Sequence, residues 1–352
     1  MKHLLRYYKV KIKEHSFFHI SFLLVLQFAL LALSCQQTSV NRQKGSYVNI
    51  KIDRFEEDLF SISLYHLADS IGYLQQKYPD FFPLFTHKII EIGNPGQEDI
   101  SMGLLAFVSD FTIYRVSKRV KEVFPTLEKQ ENELSDAFSR YHSDFSDYTI
   151  PHVVSCISGF NQSIITADSL LAISLDKYLG SDDDFYRLLY PPVPEYLRSV
   201  MQPDKITSDA MLAWIITEFN YNNKTDNLLS QMIFNGRAMY YVHRLMPDIQ
   251  DTLLWGFTSQ QMDFCNKYEK RMWEYLVENK KLFITDGFSI NQFIGEAPFT
   301  KDFSNESPGR SAVWLGYRIV NAYMKRNKDI SIRELMMETD YQKILNVSRY
   351  NP

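Results

Sequence analysis

A chain of 352 residues with 23% charged side chains and a formal net charge of −4 has no basic excess with which to hold nucleic acid. Its 45% hydrophobic content fits a folded core rather than a disordered chain, and three cysteines are too few for a disulfide framework. Aromatic residues, at 14%, supply large side chains to cores and to interfaces alike.

The first element is a targeting segment. Lys2, Arg6, Lys9, Lys11 and Lys13 precede an apolar run from Ile20 to Leu33, which ends on Ser34-Cys35. A basic region, an apolar region and a small residue before a cleavage point make a secretory signal over residues 1–34. The run is too short to span the roughly 30 Å hydrocarbon core comfortably. Cleavage before Cys35 resembles the lipobox of bacterial lipoproteins, which implies a diacylglycerated thiol and an acylated amino terminus. Leu33 stands where a smaller residue is common, so a plain signal peptide or an uncleaved anchor is the alternative. Residues 35–46 read as a polar tether, and no acidic cluster follows Cys35, which favours the periplasmic side of the envelope. Residues 47–352 form the folded part, as one large domain or as two lobes sharing a cleft.

Within that part, alternation over Tyr47–Ile52 predicts a first strand, and helical periodicity follows over Leu59–Lys77. Further helices are expected over Ile100–Val120 and Thr126–Tyr141, separated by Pro125. Val153–Ile157 is β-branched, with Ile164–Thr166 completing a hairpin after Gly159 and Ile173–Leu175 as another short strand. Beyond Tyr190–Pro194 almost every segment reads as helix: Asp209–Phe219, a helix capped by Asp226, Gln261–Val277, Ser311–Met324, and a last helix opened by the capping box Ser331–Glu334. Strands mixed with helices and then helices alone predict a predominantly helical α+β fold. Cys156 and Cys265 are read as two buried thiols, although an oxidising periplasm would allow them to pair.

Two neighbouring segments are similar to the zinc site of gluzincin-type peptidases, which carry HExxH on one helix and a glutamate on the next. Ala210–Glu218 matches the first helix and Leu228–Ala238 the second, with Asn235-Gly236 in place of Glu-Gly. The resemblance implies a metallopeptidase-like domain with a small sheet in its first half. In this register Trp214 and Glu218 replace the histidines, Ile215 the base and Asn235 the last ligand; Thr217–Tyr221 is an alternative register. Neither supplies a zinc ligand pair, because indole, isoleucine and amide side chains do not replace imidazole and carboxylate at zinc. No metal, no cofactor and no catalysis are therefore expected, and Glu218 is expected to pair with Arg237. The competing expectation is a hydrolase built on Glu218 and His243.

Other polar groups have plainer readings. Asp182-Asp183-Asp184 reads as a solvated turn, and His142, His152, Asp144 and Asp147 as loop polarity with a minor metal alternative. Arg310 and Arg318 read as carboxylate binders or as cross-helix pairs, and the Asp-Ser/Thr-apolar triplets at 69, 168 and 251 as a loose glycosylation signal.

A broader resemblance covers nearly the whole mature chain. Ile52-Asp53-Arg54-Phe55, Tyr78–Phe82, Ile157–Gln162, Ser174–Gly180, Leu229–Ile233, Ala297–Thr300 and Ser307–Arg310 occur in the order found in the gliding-motility lipoprotein GldB family. That resemblance implies a lipid-anchored envelope protein, accessory to gliding motility and its linked secretion machinery. Its implied partners are the membrane, through Cys35, and proteins of that apparatus.

Overall fold

The computed structural model describes residues 47–95, 99–219, 221 and 226–352. The signal, Cys35 and the tether lie outside the described residues. The described residues all belong to one compact unit.

A four-stranded sheet is formed by β1 (Ile52–Arg54), β2 (His152–Cys156), β3 (Ile164–Ala167) and β4 (Leu170–Ser174), in the order β1-β2-β4-β3. β1 and β4 both run parallel to β2, and β3 is the antiparallel edge. The expected hairpin is thus displaced: it joins β3 to β4, while β2 pairs with β4 in the register Val153↔Leu171 and Ser155↔Ile173. β4 takes the central place because all five of its residues, Leu170–Ser174, are buried. The first strand is also displaced: Tyr47–Lys51 is not strand, and only Ile52 of the expected segment belongs to β1. Val48, Ile50 and Ile52 donate their N–H groups to Ser139 Oγ, Ser135 Oγ and Glu131 Oε1 at 2.9, 2.9 and 3.0 Å, so a helix face takes the place of a partner strand.

Period-two alternation sends side chains into two cores. Val154, Cys156, Leu170 and Ala172 face the smaller one, with α1 (Phe55–Ser61), α2 (Leu67–Lys77) and α3 (Ile100–Ser109). There Phe55 meets Tyr78, Phe81 and Phe85 at ring separations of 5.1, 5.0 and 4.7 Å. Val153, Leu171 and Ile173 face the larger core, with α4 (Phe111–Val123), α5 (Glu128–Asp144), α6 (Ile206–Glu218) and α7 (Leu228–Leu245). α8 (Ser259–Glu278), α9 (Gly287–Ile294), α10 (Ser311–Arg326), α11 (Ile332–Met337) and α12 (Tyr341–Ser348) complete that side.

Chain punctuation explains the boundaries. The helix expected over Ile100–Val120 is divided by Asp110, whose carboxylate accepts from the N–H groups of Thr112 and Ile113. Asn227, not Asp226, caps α7, accepting from Ser230 N at 2.9 Å. The box predicted at Ser331 and Glu334 is present in both directions. Cys156 and Cys265 are free and buried.

Candidate functional site

Three structural units meet around a cavity of about 790 Å³. The carboxyl end of β4 and its following turn supply Lys177 and Tyr178, with Ser163 ahead of β3. α6 supplies Asp209, Leu212, Ala213 and Ile216, one face by helical spacing. The third wall joins Trp255 and Phe257 to Pro298 and to Pro308–Arg310 at the start of α10. β3 and β4 pack on α6, with Thr166 Oγ1 at 2.7 Å from Thr217 Oγ1, so strands lie beside this helix as expected.

Two hydrogen-bonded knots hold the walls. In the first, Gly159 and Phe160 have φ of +70° and +66°, which turns their loop around the buried Asp176. Asp176 accepts from Ser158 N at 3.0 Å and Phe160 N at 2.6 Å, while burial raises its carboxyl above the usual range. The second knot centres on buried Thr300. Its N–H and hydroxyl both donate to Pro308 O, at 3.0 and 2.8 Å, and its Oγ1 accepts from Ser311 N at 3.3 Å. Gly309 closes that contact: a Cβ there would lie 2.3 Å from Ala297 O.

Several of the charges in the cleft are engaged from within, while Glu195 is exposed at its margin. Lys205, 7% exposed, donates to the Asp209 carboxylate and, at 3.1 Å, to Ser208 Oγ, while Tyr178 Oη donates to Asp209 Oδ2 at 3.1 Å. Arg310 pairs with Glu296 at 2.9 Å. Lys177, held below its ordinary value by burial, donates to Phe160 O at 3.2 Å. Among the described residues no histidine lines the cleft, and no group of three or more His, Cys, Asp or Glu is placed to hold a metal ion. The surface offered is apolar and aromatic, with hydroxyls and paired charges at its margins.

The positions singled out by zinc spacing fall elsewhere. Trp214 and Ile215 are fully buried in the larger core, with the Trp214 ring edge-on to Phe138 at 6.2 Å. Trp214 Nε1 and Tyr141 Oη approach each other there without a hydrogen bond of good geometry. Glu218 is half-buried at the end of α6, and partial burial raises its carboxyl. Asn235 donates to Gln231 O at 2.9 Å, one turn back on its own helix. The i, i+4 pairs that do face the cleft are Asp209/Ala213 and Leu212/Ile216. The alternative register fails because α6 ends at Glu218, so Thr217 and Tyr221 share no helical face.

Arg237 does not pair with Glu218. It donates to Glu338 O at 2.6 Å and stacks on Phe234 and Tyr341, each 5.3 Å away. His243 stands four turns along α7, about 22 Å of rise from its start. There it contacts Tyr317 Oη at 2.9 Å and lies 3.8 Å from Asp251. His152 and Asp147 are likewise engaged, with Asp53 at 2.7 Å and with Arg333. In the acidic triplet Asp183 pairs with Arg119, and Asp182 and Asp184 with Arg187. Arg318 pairs across helices with Glu269 at 2.9 Å.

Sequence reasoning did not single out Lys177, Lys205 or Trp255 as cleft residues. The i, i+4 spacing of Lys205 and Asp209 was the available signal for one pair.

The segments that carried the broader resemblance converge in pairs. Ile157–Gln162 binds Ser174–Gly180 through Asp176, Ala297–Thr300 binds Ser307–Arg310 through Thr300, and Ile52–Phe55 meets Tyr78–Phe82 through Phe55. The model of the family described as gliding motility protein GldB matches residues 36–352. Neither the curated proteins nor the solved structures gave a match. With nearly its whole length matched, this chain belongs to the GldB family of gliding motility proteins.

Proposed function

We propose that this protein is a non-catalytic, lipid-anchored envelope protein that serves gliding motility and its linked secretion machinery by holding a polypeptide segment of a partner in the cleft between β4, α6 and α10. The observation that carries this reading is that the three cations and the Asp209 carboxylate of the cleft are engaged within the chain, which leaves Glu195 as an exposed carboxylate at its margin. Lys205 is committed to Asp209, Arg310 to Glu296 and Lys177 to a backbone carbonyl. Hydrolysis needs an activated water or nucleophile and a base within reach of it. Ser163, Ser199 and Thr258 line the cleft, but Ser199 Oγ donates to Tyr196 O at 2.9 Å, Thr258 Oγ1 accepts from Gln261 N at 3.2 Å, and among the described residues no histidine lines the cleft to activate them. Kinship with gluzincins is part of the proposal, supported by the antiparallel edge strand beside α6 and the helix pair α6 and α7.

A photocrosslinking side chain at Leu212 or Ile216, installed in the full chain in its native envelope, tests this reading. The expected result is capture of motility or secretion proteins, with no such capture from Lys270 on α8. Identical labelling from both places would remove the cleft from the function. Stoichiometric zinc in the purified protein together with peptide cleavage would install the hydrolase reading instead.

A further inference from the structure

A second cavity, of about 420 Å³, shares no residue with the cleft. α8 lends it Lys267 and Lys270, α10 lends it Arg318, Lys325 and Arg326, and Arg349 reaches it just after α12. Among the described residues Glu269 is the one carboxylate side chain in the lining. The chain as a whole has a net charge of −4, so this gathering of cations around one cavity is local.

Glu269 is used up in building the floor. It accepts from Arg318 Nε at 2.9 Å and from Tyr350 Oη at 2.7 Å. Arg318 also lies over the Trp314 ring at 5.3 Å, and Tyr350 meets Trp273 edge-on at 5.2 Å. The guanidinium is thus held by one edge and one face, while its two Nη groups make no hydrogen bond to the described residues. Around it Lys267, Lys325, Arg326 and Arg349 are exposed and form no ion pair. Lys270 alone has a further acid, Glu274 at 3.9 Å.

Helix ends explain only part of this charge. A carboxyl end carries about half a negative charge, so the ends of α10 and α12 together offset about one cation. The Pro352 carboxylate at the rim offsets another, although it forms no ion pair with the cations, and Glu269 and Glu274 offset two more. About two positive charges are left over in the lining. Beyond it the exposed acids Asp263 and Asp329 are matched in number by the exposed Arg271 and Lys328.

We infer that this cavity binds a ligand bearing phosphate groups. A phosphate carries about −1.5 to −2 charge and three strong acceptor oxygens that point in different directions. Those oxygens suit donors arriving from α8, α10 and the turn after α12, whereas a carboxylate brings one charge and two coplanar oxygens. The free Nη groups of Arg318 offer a pre-set donor pair to one phosphate, and the flexible lysines close on its remaining charge.

The test is calorimetry of the full chain at low ionic strength, with inorganic tripolyphosphate as the probe. Saturable binding of one tripolyphosphate per chain is expected, and K325A/R326A is expected to weaken it at least about tenfold, the loss of one charge-assisted hydrogen bond. R318K, which keeps the charge and removes the Nη pair, is expected to weaken it too, whereas K118A/K121A on α4, outside the cavity, should leave it unchanged. Lys325 and Arg326 are exposed, so their variant decides the matter even if R318K does not fold. Competition by glycerol 3-phosphate at similar concentration assigns a lipid-type headgroup, and its failure to compete assigns a soluble compound with clustered phosphates; both results support the site. No saturable binding, or equal weakening by K118A/K121A, overturns the inference. A hexaglutamate peptide that binds as tightly as tripolyphosphate would assign the cavity to an acidic polypeptide and also overturns it.

Discussion

Gly316→Ala is expected to destabilise the protein where an equivalent helical change, Gly72→Ala, stabilises it. α7 and α10 form the most extensively packed helix pair of the molecule, and they cross at Gly236 and Gly316. A Cβ on Gly316 would lie 1.9 Å from Met232 O and 2.5 Å from Met232 C. Both obstacles are backbone, so no side chain can swing aside. Restoring an ordinary contact of about 3.4 Å requires the helices to part by roughly 1.5 Å, which disturbs every side chain in their seam. Overpacking of this kind costs about 3 kcal/mol, against which alanine returns about 1 kcal/mol of helix propensity. The net loss of about 2 kcal/mol lowers the thermal midpoint of a domain this size by about 3 °C. Gly72 in α2 is exposed, with nothing within 4 Å of its Cβ position, so there only the propensity gain of about 0.5–1 kcal/mol remains. Urea unfolding with an unchanged m-value, checked by calorimetry, measures both. Gly316→Ala unfolding at or above the wild-type midpoint would refute the close crossing. Shifts of the same sign in the two variants would refute the propensity argument.

Thr300→Val keeps the shape but removes the hydroxyl that joins Pro308 O to Ser311 N, so a loss of about 1–3 kcal/mol is expected in urea unfolding, and a neutral result would deny the knot its role. Asp176→Asn is expected to cost about 1–3 kcal/mol with a distinctive pH dependence. Burial raises the folded carboxyl, so the native state keeps a proton that the unfolded chain releases near pH 4, and wild-type stability falls as pH rises from there through the folded value. The penalty of Asp176→Asn therefore shrinks across that window; a penalty growing with pH would contradict the assignment. Cys265 has its thiol pushed up to about 12 by burial, so in the native protein at pH 8 neither it nor Cys156 is expected to react quickly with an aromatic disulfide reagent, whereas both titrate in urea. A fast thiol in the folded state would place one of them at the surface.

Local signals were legible. The capping box at Ser331, the β-branched run at Val153 and the break at Pro191–Pro194 all mark real boundaries. Non-local pairing was not. Nothing in Val153–Cys156 distinguishes a hairpin with Ile164–Thr166 from a parallel pairing with Leu170–Ser174, and β4 reached the centre because its two-sided apolar run needed cover on both faces. The zinc spacing misled for a related reason. α6 is apolar nearly all round, with Met211, Trp214 and Ile215 in the core and Leu212, Ala213 and Ile216 in the cleft, so its pattern does not reveal which face is which.

The same ambiguity explains why this protein's working surfaces are hard to see in its sequence. A catalytic site must assemble rare polar groups, and those stand out against an apolar pattern. The proposed wall for a polypeptide is made from the Leu, Ile, Trp, Phe and Met that also make cores. Leu212 and Ile216 therefore read as core, yet in the fold they are only partly buried against it and also line the cavity, and the uncharged α3 reads as a buried helix until Met102 is found outside. What the sequence does display are the knots that hold such walls in place: a buried Asp176 gathering two backbone donors, and a Thr300 tying two distant turns. Substitutions in the knots should therefore lower stability and recognition together, whereas volume-conserving substitutions at Leu212 or Ile216 should change unfolding by less than about 1.5 kcal/mol while altering recognition.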